Sequence, residues 1–238
     1  MTRDRMSSLL PRDAGSRAAV RQLALPRPET LAEAAYEQMA ASLMDGAYVP
    51  GDRVATRGLA ADLGVSATPA REAMLRLVSE GALELKNART IVVPTLTAAR
   101  LKEIYCLRHA LEPMAAAQAA ERLTGEDIRR LERSQERMGA AYARADYRTV
   151  FRENREFHFR IYGAAAMPLV LSFIQAAWLR IGPTFRLLYP TLAVPADALR
   201  IHDAAIAAAR AGAADQLRDA IGEDLRRGEV LLGKVIQR

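Results

Sequence analysis

The stretch Gly58–Gly81, GLAADLGVSATPAREAMLRLVSEG, has the fewest ways to fold of any part of this 238-residue chain. Leu59, Ala60 and Leu63 give a short first helix one apolar face. Gly64-Val65-Ser66 then supplies a turn, since Gly64 tolerates left-handed backbone and Ser66 can cap a second helix. Pro69 falls in the first turn of that second helix, where its missing N–H costs nothing. Ala70, Ala73, Met74, Leu77 and Val78 make an inward stripe and leave Thr68, Arg71, Glu72 and Arg76 outside. Two short helices joined in this way have helix-turn-helix geometry, whose second helix can enter a DNA major groove. An ordinary pair of packed helices is the competing reading, and the flanks decide between them.

Upstream, Leu31, Ala35, Met39 and Leu43 recur with helical period over Thr30–Met44, and Thr30 with Glu33 matches a capping box. Asp45-Gly46 ends that helix, Val49-Pro50-Gly51-Asp52 is a turn, and Arg53-Val54-Ala55 is a short extended piece. Downstream, Ala82-Leu83-Glu84-Leu85 and Ile91-Val92-Val93 flank the polar run Lys86–Thr90, which predicts a hairpin. A helix-turn-helix followed at once by a hairpin is a winged helix, a more specific pattern than either half alone.

Before this unit, residues 1–28 hold six arginines, two acids and three prolines without apolar periodicity, and are expected to be a mobile basic tail. The winged helix is expected over 29–94. The formal charge is +6, which is compatible with nucleic acid but does not establish it. Residues 1–95 carry 12 Lys or Arg against 11 Asp or Glu, so the placement of single arginines matters more than bulk charge. No apolar run is long enough to span a membrane, no secretory signal is expected, and the single Cys106 excludes an internal disulfide. These features point to the cytoplasm.

Pro94-Thr95-Leu96-Thr97 is the expected boundary. Beyond it, residues 95–238 read as six helices, about 98–122, 125–145, 147–164, 167–181, 196–211 and 214–236. Gly125, Met167-Pro168, Gly182-Pro183, Pro195 and Gly212 punctuate them. The fold class is therefore mainly α, a winged helix followed by an all-α bundle with its own core.

Four places break the apolar stripes of that bundle. Arg108 lies among Leu101, Ile104, Leu111 and Ala115; Asn154 and His158 are one turn apart; His202 lies between Leu199 and Ile206; Asp224 lies between Ile221 and Gly228. Buried polar groups are costly unless paired, so the economical arrangement brings several together around a small cavity. Imidazoles with an acid or amide oxygen suit a divalent metal such as Zn, Ni or Mn, although each histidine singly is more often an ordinary hydrogen-bonded residue.

Gly46–Pro94 resembles the DNA-binding domain of the GntR family of bacterial transcription factors. The resemblance is carried by Pro50-Gly51-Asp52-Arg53, Leu63-Gly64-Val65-Ser66, Thr68-Pro69, Arg71-Glu72-Ala73 and Glu80-Gly81. Two positions depart from the family pattern: Ala67 stands where arginine is usual, and Ala88-Arg89 stands at the wing tip in place of Arg-Gly. Residues 98–236 resemble the helical effector domain of the FadR subfamily, the FCD domain, with a helix count similar to the VanR-like branch. Leu107-Arg108, Leu111-Glu112-Pro113, Phe157-His158 and Ile201-His202 carry that likeness.

The resemblance implies a homodimeric, ligand-responsive repressor of operator DNA. Arg71 is the expected reader of a base edge, and Arg57, Thr68 and Arg76 the expected phosphate contacts; Ser66 and Arg89 complete the DNA-facing set. It also implies a metal held by Asn154, His158, His202 and Asp224. A small carboxylic acid would bind beside Asn154, His158 and His202, with Arg108 pairing its carboxylate. For Arg108 the bland alternative is a salt bridge with a bundle acid. No organic cofactor is expected. The competing class is a metal-dependent enzyme on the same His/Asp residues, and no nucleophile–base pair stands beside them in the sequence.

Overall fold

The computed structural model describes residues 31–87, 90–189 and 196–237. The basic tail, the Thr30 half of the expected capping box and the wing-tip Arg89 lie outside the described residues.

Helix α1 (Leu31–Met44) buries Ala35, Met39 and Leu43 as their spacing predicts, and Ala40 with them, whereas Leu31 of the same expected stripe is exposed in the first turn. Strand β1 (Arg53–Val54) leads to α2 (Thr56–Leu63) and α3 (Ala67–Ser79). Gly64 ends α2 with φ 63°, and the N–H of Val65 reaches back to the Ala60 carbonyl, so the turn needs the left-handed glycine. Ser66 stands before α3 in extended backbone but makes no side-chain capping bond. Ala70, Ala73, Met74 and Leu77 are buried on α3, as the stripe predicts. Strands β2 (Glu84–Asn87) and β3 (Thr90–Val92) complete an antiparallel sheet of order β1-β3-β2, with Arg53 opposite Val92 and Leu85 opposite Ile91. The wing is therefore braced on both edges of β3.

The second half contains α4 (Ala98–Ala119), α5 (Gly125–Ala143), α6 (Tyr147–Ala164), α7 (Pro168–Phe185), a 3-10 turn (Arg186–Leu188), α8 (Ala196–Arg210) and α9 (Ala214–Ile236). Their core includes Ile104, Tyr105, Phe157, Ile161, Trp178, Ile181, Ile221 and Leu225. α9 packs along α4, α5 along α6, and α8 along α9.

One expectation is corrected. Gly182-Pro183 does not end the fourth bundle helix: α7 runs through both residues to Phe185. Gly182 serves packing instead, because a Cβ there would stand 2.7 Å from the Met44 Cα and 2.8 Å from the Leu43 carbonyl oxygen. α7 thus lies directly on the end of α1, and Leu179 of α7 joins the core of the winged-helix half, beside Met39, Leu43, Leu77 and Leu83. Two further contacts reinforce this seam. Arg155 of α6 donates to Asp45 over 2.7 Å, and the Phe151 ring lies against Gly46, whose φ is 65°.

Both atoms that crowd Gly182 are backbone, so they cannot swing aside. Gly182→Ala is expected to lower unfolding stability by about 1–3 kcal/mol, the usual cost of overpacking. Urea melts followed by circular dichroism would measure it, and an unchanged midpoint would refute the packing role.

Candidate functional site

The polar positions of the bundle converge at one place. α6 brings His158, α8 brings His202 and α9 brings Asp224, and one ligand atom from each lies within 4.8 Å of the others. The His158 Nε2 is 3.3 Å from Asp224 Oδ2, and the His202 Nε2 is 3.8 Å from Asp224 Oδ1. Both histidines are buried, whereas Asp224 keeps 22% of its side chain exposed. Phe157 stacks flat on the His202 ring at 4.1 Å between centroids, which fixes the plane of that imidazole.

The hydrogen-bond network assigns the tautomers. The Gln135 amide nitrogen donates to the Leu199 carbonyl and to Asp203, so its oxygen faces His202 Nδ1 at 3.2 Å and must accept from it. On the other histidine, Tyr162 donates to Glu112 over 2.6 Å, so its oxygen accepts from His158 Nδ1 at 3.1 Å. Each imidazole therefore turns an Nε2 lone pair toward Asp224. Among the described residues His158 Nε2 is buried with no hydrogen-bond partner. Burial pushes the His202 imidazole down to about 4, so it is neutral at pH 7. Burial opposes ionisation of Asp224, but nearby positive charge, that of Arg108 included, outweighs it and keeps the group a carboxylate. Two lone pairs and a carboxylate aimed at one point repel each other unless a cation sits among them. The donor set and its outer-shell partners fit a divalent metal.

Sequence reasoning missed that outer shell. Glu112, fully buried on α4, accepts from Arg108 Nε at 2.6 Å, from Tyr162 at 2.6 Å and from Trp178 Nε1 at 3.0 Å. The available signals were two i,i+4 pairs, Arg108 with Glu112 and His158 with Tyr162. Arg108 therefore makes the internal salt bridge, with a second contact from its Nη2 to Glu112 at 3.3 Å, and not the free carboxylate clamp expected of it. Four acceptor contacts on one buried carboxylate leave that guanidinium little freedom to turn toward a ligand.

Asn154, one turn before His158, lines a cavity of about 90 Å³ together with Asp224, Arg108 and Arg227. That is roughly the room of three water molecules. Tyr105, Tyr142, Phe151, Trp178, Phe185 and Tyr189 supply the rest of its polar and aromatic wall. Asp224 thus belongs both to this cavity and to the cluster with His158 and His202, which do not themselves line it.

On the winged helix, Arg57, Ser66, Thr68 and Arg71 are exposed along α2, the turn and the start of α3. Arg76 behaves differently. It donates to Glu33 at 3.0 Å and to Glu80 at 3.1 Å, and its guanidinium lies 3.7 Å from the centre of the Tyr36 ring. Glu33 of α1 and Glu80, just past the end of α3, thus hold the arginine expected to reach a phosphate, and it braces α3 on α1. No helix of the described residues is long and apolar enough to cross a membrane.

Comparison with known proteins agrees with this architecture. Residues 31–93 match the gntR family of bacterial regulatory proteins, and residues 103–227 match the FCD domain. Over 157 residues the chain is 40% identical to the HTH-type transcriptional regulator McbR of Escherichia coli K12, covering 66% of this chain and 70% of McbR. The solved structure of E. coli McbR/YncC superposes with a TM-score of 0.80 at 33% identity, over 86% of this chain and 98% of that one. A putative GntR regulator from Rhodococcus sp. RHA1 shares the fold, with a TM-score of 0.69 at 20% identity over 84% and 96% of the two chains. These relatives are transcriptional regulators, which removes the metal-dependent enzyme as a reading of the His/Asp cluster. With a gntR-type winged helix ahead of an FCD domain that spans more than half its length, the chain belongs to the GntR family of transcriptional regulators, in the FCD-bearing branch.

Proposed function

We propose that the protein is a homodimeric repressor whose grip on operator DNA is relaxed by a small carboxylic acid bound beside a divalent metal. The observation that carries this reading is the convergence of His158 Nε2, His202 Nε2 and Asp224, with Asp224 also lining a cavity whose Phe151 abuts Gly46 of the winged-helix half. His158, His202 and Asp224 would hold the metal, with Asn154, one turn before His158 on α6, as the further oxygen donor. When bound, the ion supplies a positive anchor for a carboxylate oxygen. The protein's own residues orient the imidazoles, keep water out with aromatic side chains and carry the ligand's presence outward.

That outward path runs through α6. Asn154 faces the cavity while the next residue, Arg155, pairs with Asp45 at the end of α1. Phe151 lines the cavity and also abuts Gly46. An effector can shift operator affinity only by its differential affinity for two arrangements of head and bundle, and α6 touches both.

A dimer is supported by an exposed apolar stripe. α4 and α7 pack side by side, and Leu107, Met114, Leu169 and Phe173 on them remain 39–71% exposed in the single chain. A second copy covering this stripe would present two heads to the two halves of a near-palindromic operator. Arg71 would read a base edge from α3, with Arg57 and Thr68 on phosphates.

Three measurements test the reading. Protein purified without chelator is expected to carry about one Zn, Ni or Mn ion per chain by plasma mass spectrometry. His158→Ala and Asp224→Ala should each abolish it, and a metal-free protein that stays empty after dialysis against all three ions would sink the metal assignment. Phe173→Glu should convert a dimer to monomer by light scattering; a monomeric wild type would remove the dimer. For DNA, a duplex selected from a random pool should lose about 1–3 kcal/mol of discrimination at one base pair in Arg71→Ala. Uniform weakening across all sequences would make Arg71 a phosphate contact instead.

A further inference from the structure

The cavity wall carries a hydroxyl that bonds to nothing among the described residues. Tyr105 of α4 lines the cavity and is 1% exposed, and its Oη is buried without a hydrogen-bond partner. Burial pushes the pKa of this phenol up, so it stays protonated and offers an O–H. The ring has little freedom to turn elsewhere for an acceptor. The Arg108 guanidinium lies 4.9 Å from its centre, and the His109 ring lies 5.8 Å away. Neighbours on the wall are engaged with other groups. Arg108 and Trp178 donate to Glu112, the Tyr142 and Tyr189 hydroxyls are 3.3 Å apart, and Asp224 faces the two histidines.

A second cost falls at the same point. Gly228 stands inside α9, where glycine is a poorer helix residue than alanine. A Cβ there would stand 2.7 Å from Tyr105 Oη, so the missing side chain is what admits the hydroxyl to the α9 side of the cavity. Gly228 lines the cavity one turn beyond Asp224. Neither feature strengthens the bundle itself. Phenylalanine at 105 would bury the same ring without an unbonded hydroxyl, and a side chain at 228 would favour the helix. Both are accounted for if the hydroxyl donates to a molecule held in the cavity.

Resting on the effector reading above, we infer that Tyr105 selects the ligand, its Oη donating to an oxygen that the ligand carries besides its carboxylate. The favoured effector is then a hydroxy- or oxo-acid rather than the plain acid of the same chain length. The carboxylate belongs at the metal beside Asp224, whereas Tyr105 Oη meets α9 at Gly228, about 6 Å further along the helix axis. Two different oxygens therefore serve the two points. A neutral phenol needs only a neutral acceptor, which adds no charge to a wall that already carries Asp224. An acid without a second oxygen would leave the hydroxyl buried and unbonded, so the cost already built into the fold becomes discrimination against it.

The test compares zinc-loaded, full-length protein with its Tyr105→Phe variant. Both are first melted without added acid. The variant should melt at or above the wild-type temperature, since it loses only an unbonded hydroxyl. A fall of more than about 2 °C would show that the hydroxyl is already bonded within the protein and would overturn the inference. Both are then titrated by calorimetry with three matched pairs: lactate and propionate, 3-hydroxybutanoate and butanoate, 4-oxopentanoate and pentanoate. In the wild type the oxygenated member of at least one pair should bind about 3- to 10-fold tighter, the worth of one hydrogen bond. In Tyr105→Phe that preference should shrink to within about twofold, through weaker binding of the oxygenated acid. A preference that survives in the variant would assign the oxygen to another group and overturn the inference. Plain acids binding the wild type as tightly as their oxygenated partners would overturn it too, and leave the organic-acid reading standing. Silence from all six acids would overturn the inference together with the effector reading beneath it.

Discussion

The carboxylate of Glu112 is the fixed point of the bundle. A buried, ionised acid is tolerable only when its lone pairs are occupied, and here donors from three helices occupy them: Arg108 on α4, Tyr162 on α6 and Trp178 on α7. Through Tyr162 the same carboxylate decides which nitrogen of His158 carries its proton, and so which lone pair faces Asp224. The chemistry of the candidate metal centre is therefore set a full side chain away from any ligand. Gln135 does the equivalent work for His202 from α5. Remove either partner and an imidazole is free to turn its N–H inward, where it would block a cation.

A second constraint is the contact between the two halves of the chain. Gly182 admits the backbone of α1 to the surface of α7, and Leu179 finishes the winged-helix core from the bundle side. Arg155 and Asp45, both largely shielded at 18% and 14% exposure, add a charged tie across the seam. The helices that hold the cavity are thus also the platform on which the DNA-binding unit rests.

Much of this was legible in the sequence, for identifiable reasons. The helix-turn-helix and the wing declare themselves because their turns need particular residues at particular places, Gly64 above all. The polar interruptions at His158, His202 and Asp224 stood out because a charged or imidazole group on an apolar stripe has few explanations, and they do converge. What stayed hidden is partnership. Gly182-Pro183 looks like a helix end because local preference says so, and only the proximity of Met44 reveals its packing role. Arg76 and Arg108 looked like arginines waiting for a ligand, since nothing in linear order announces that Glu33, Tyr36 and Glu112 would hold them. The aromatic wall was invisible too, because its rings come from four helices and a 3-10 turn's flank, at spacings without a shared period.

Phe151 sits in two environments at once, with one side of its ring on the cavity and another against Gly46. A side chain in that position cannot be tuned for one task alone. Enlarging the cavity at this residue to admit a bulkier molecule would also loosen the turn beneath α1. Chemical selectivity and responsiveness would then drift together over generations of change, and any sensor re-engineered from this scaffold would do better to vary Tyr142 or Tyr189 and leave Phe151 alone.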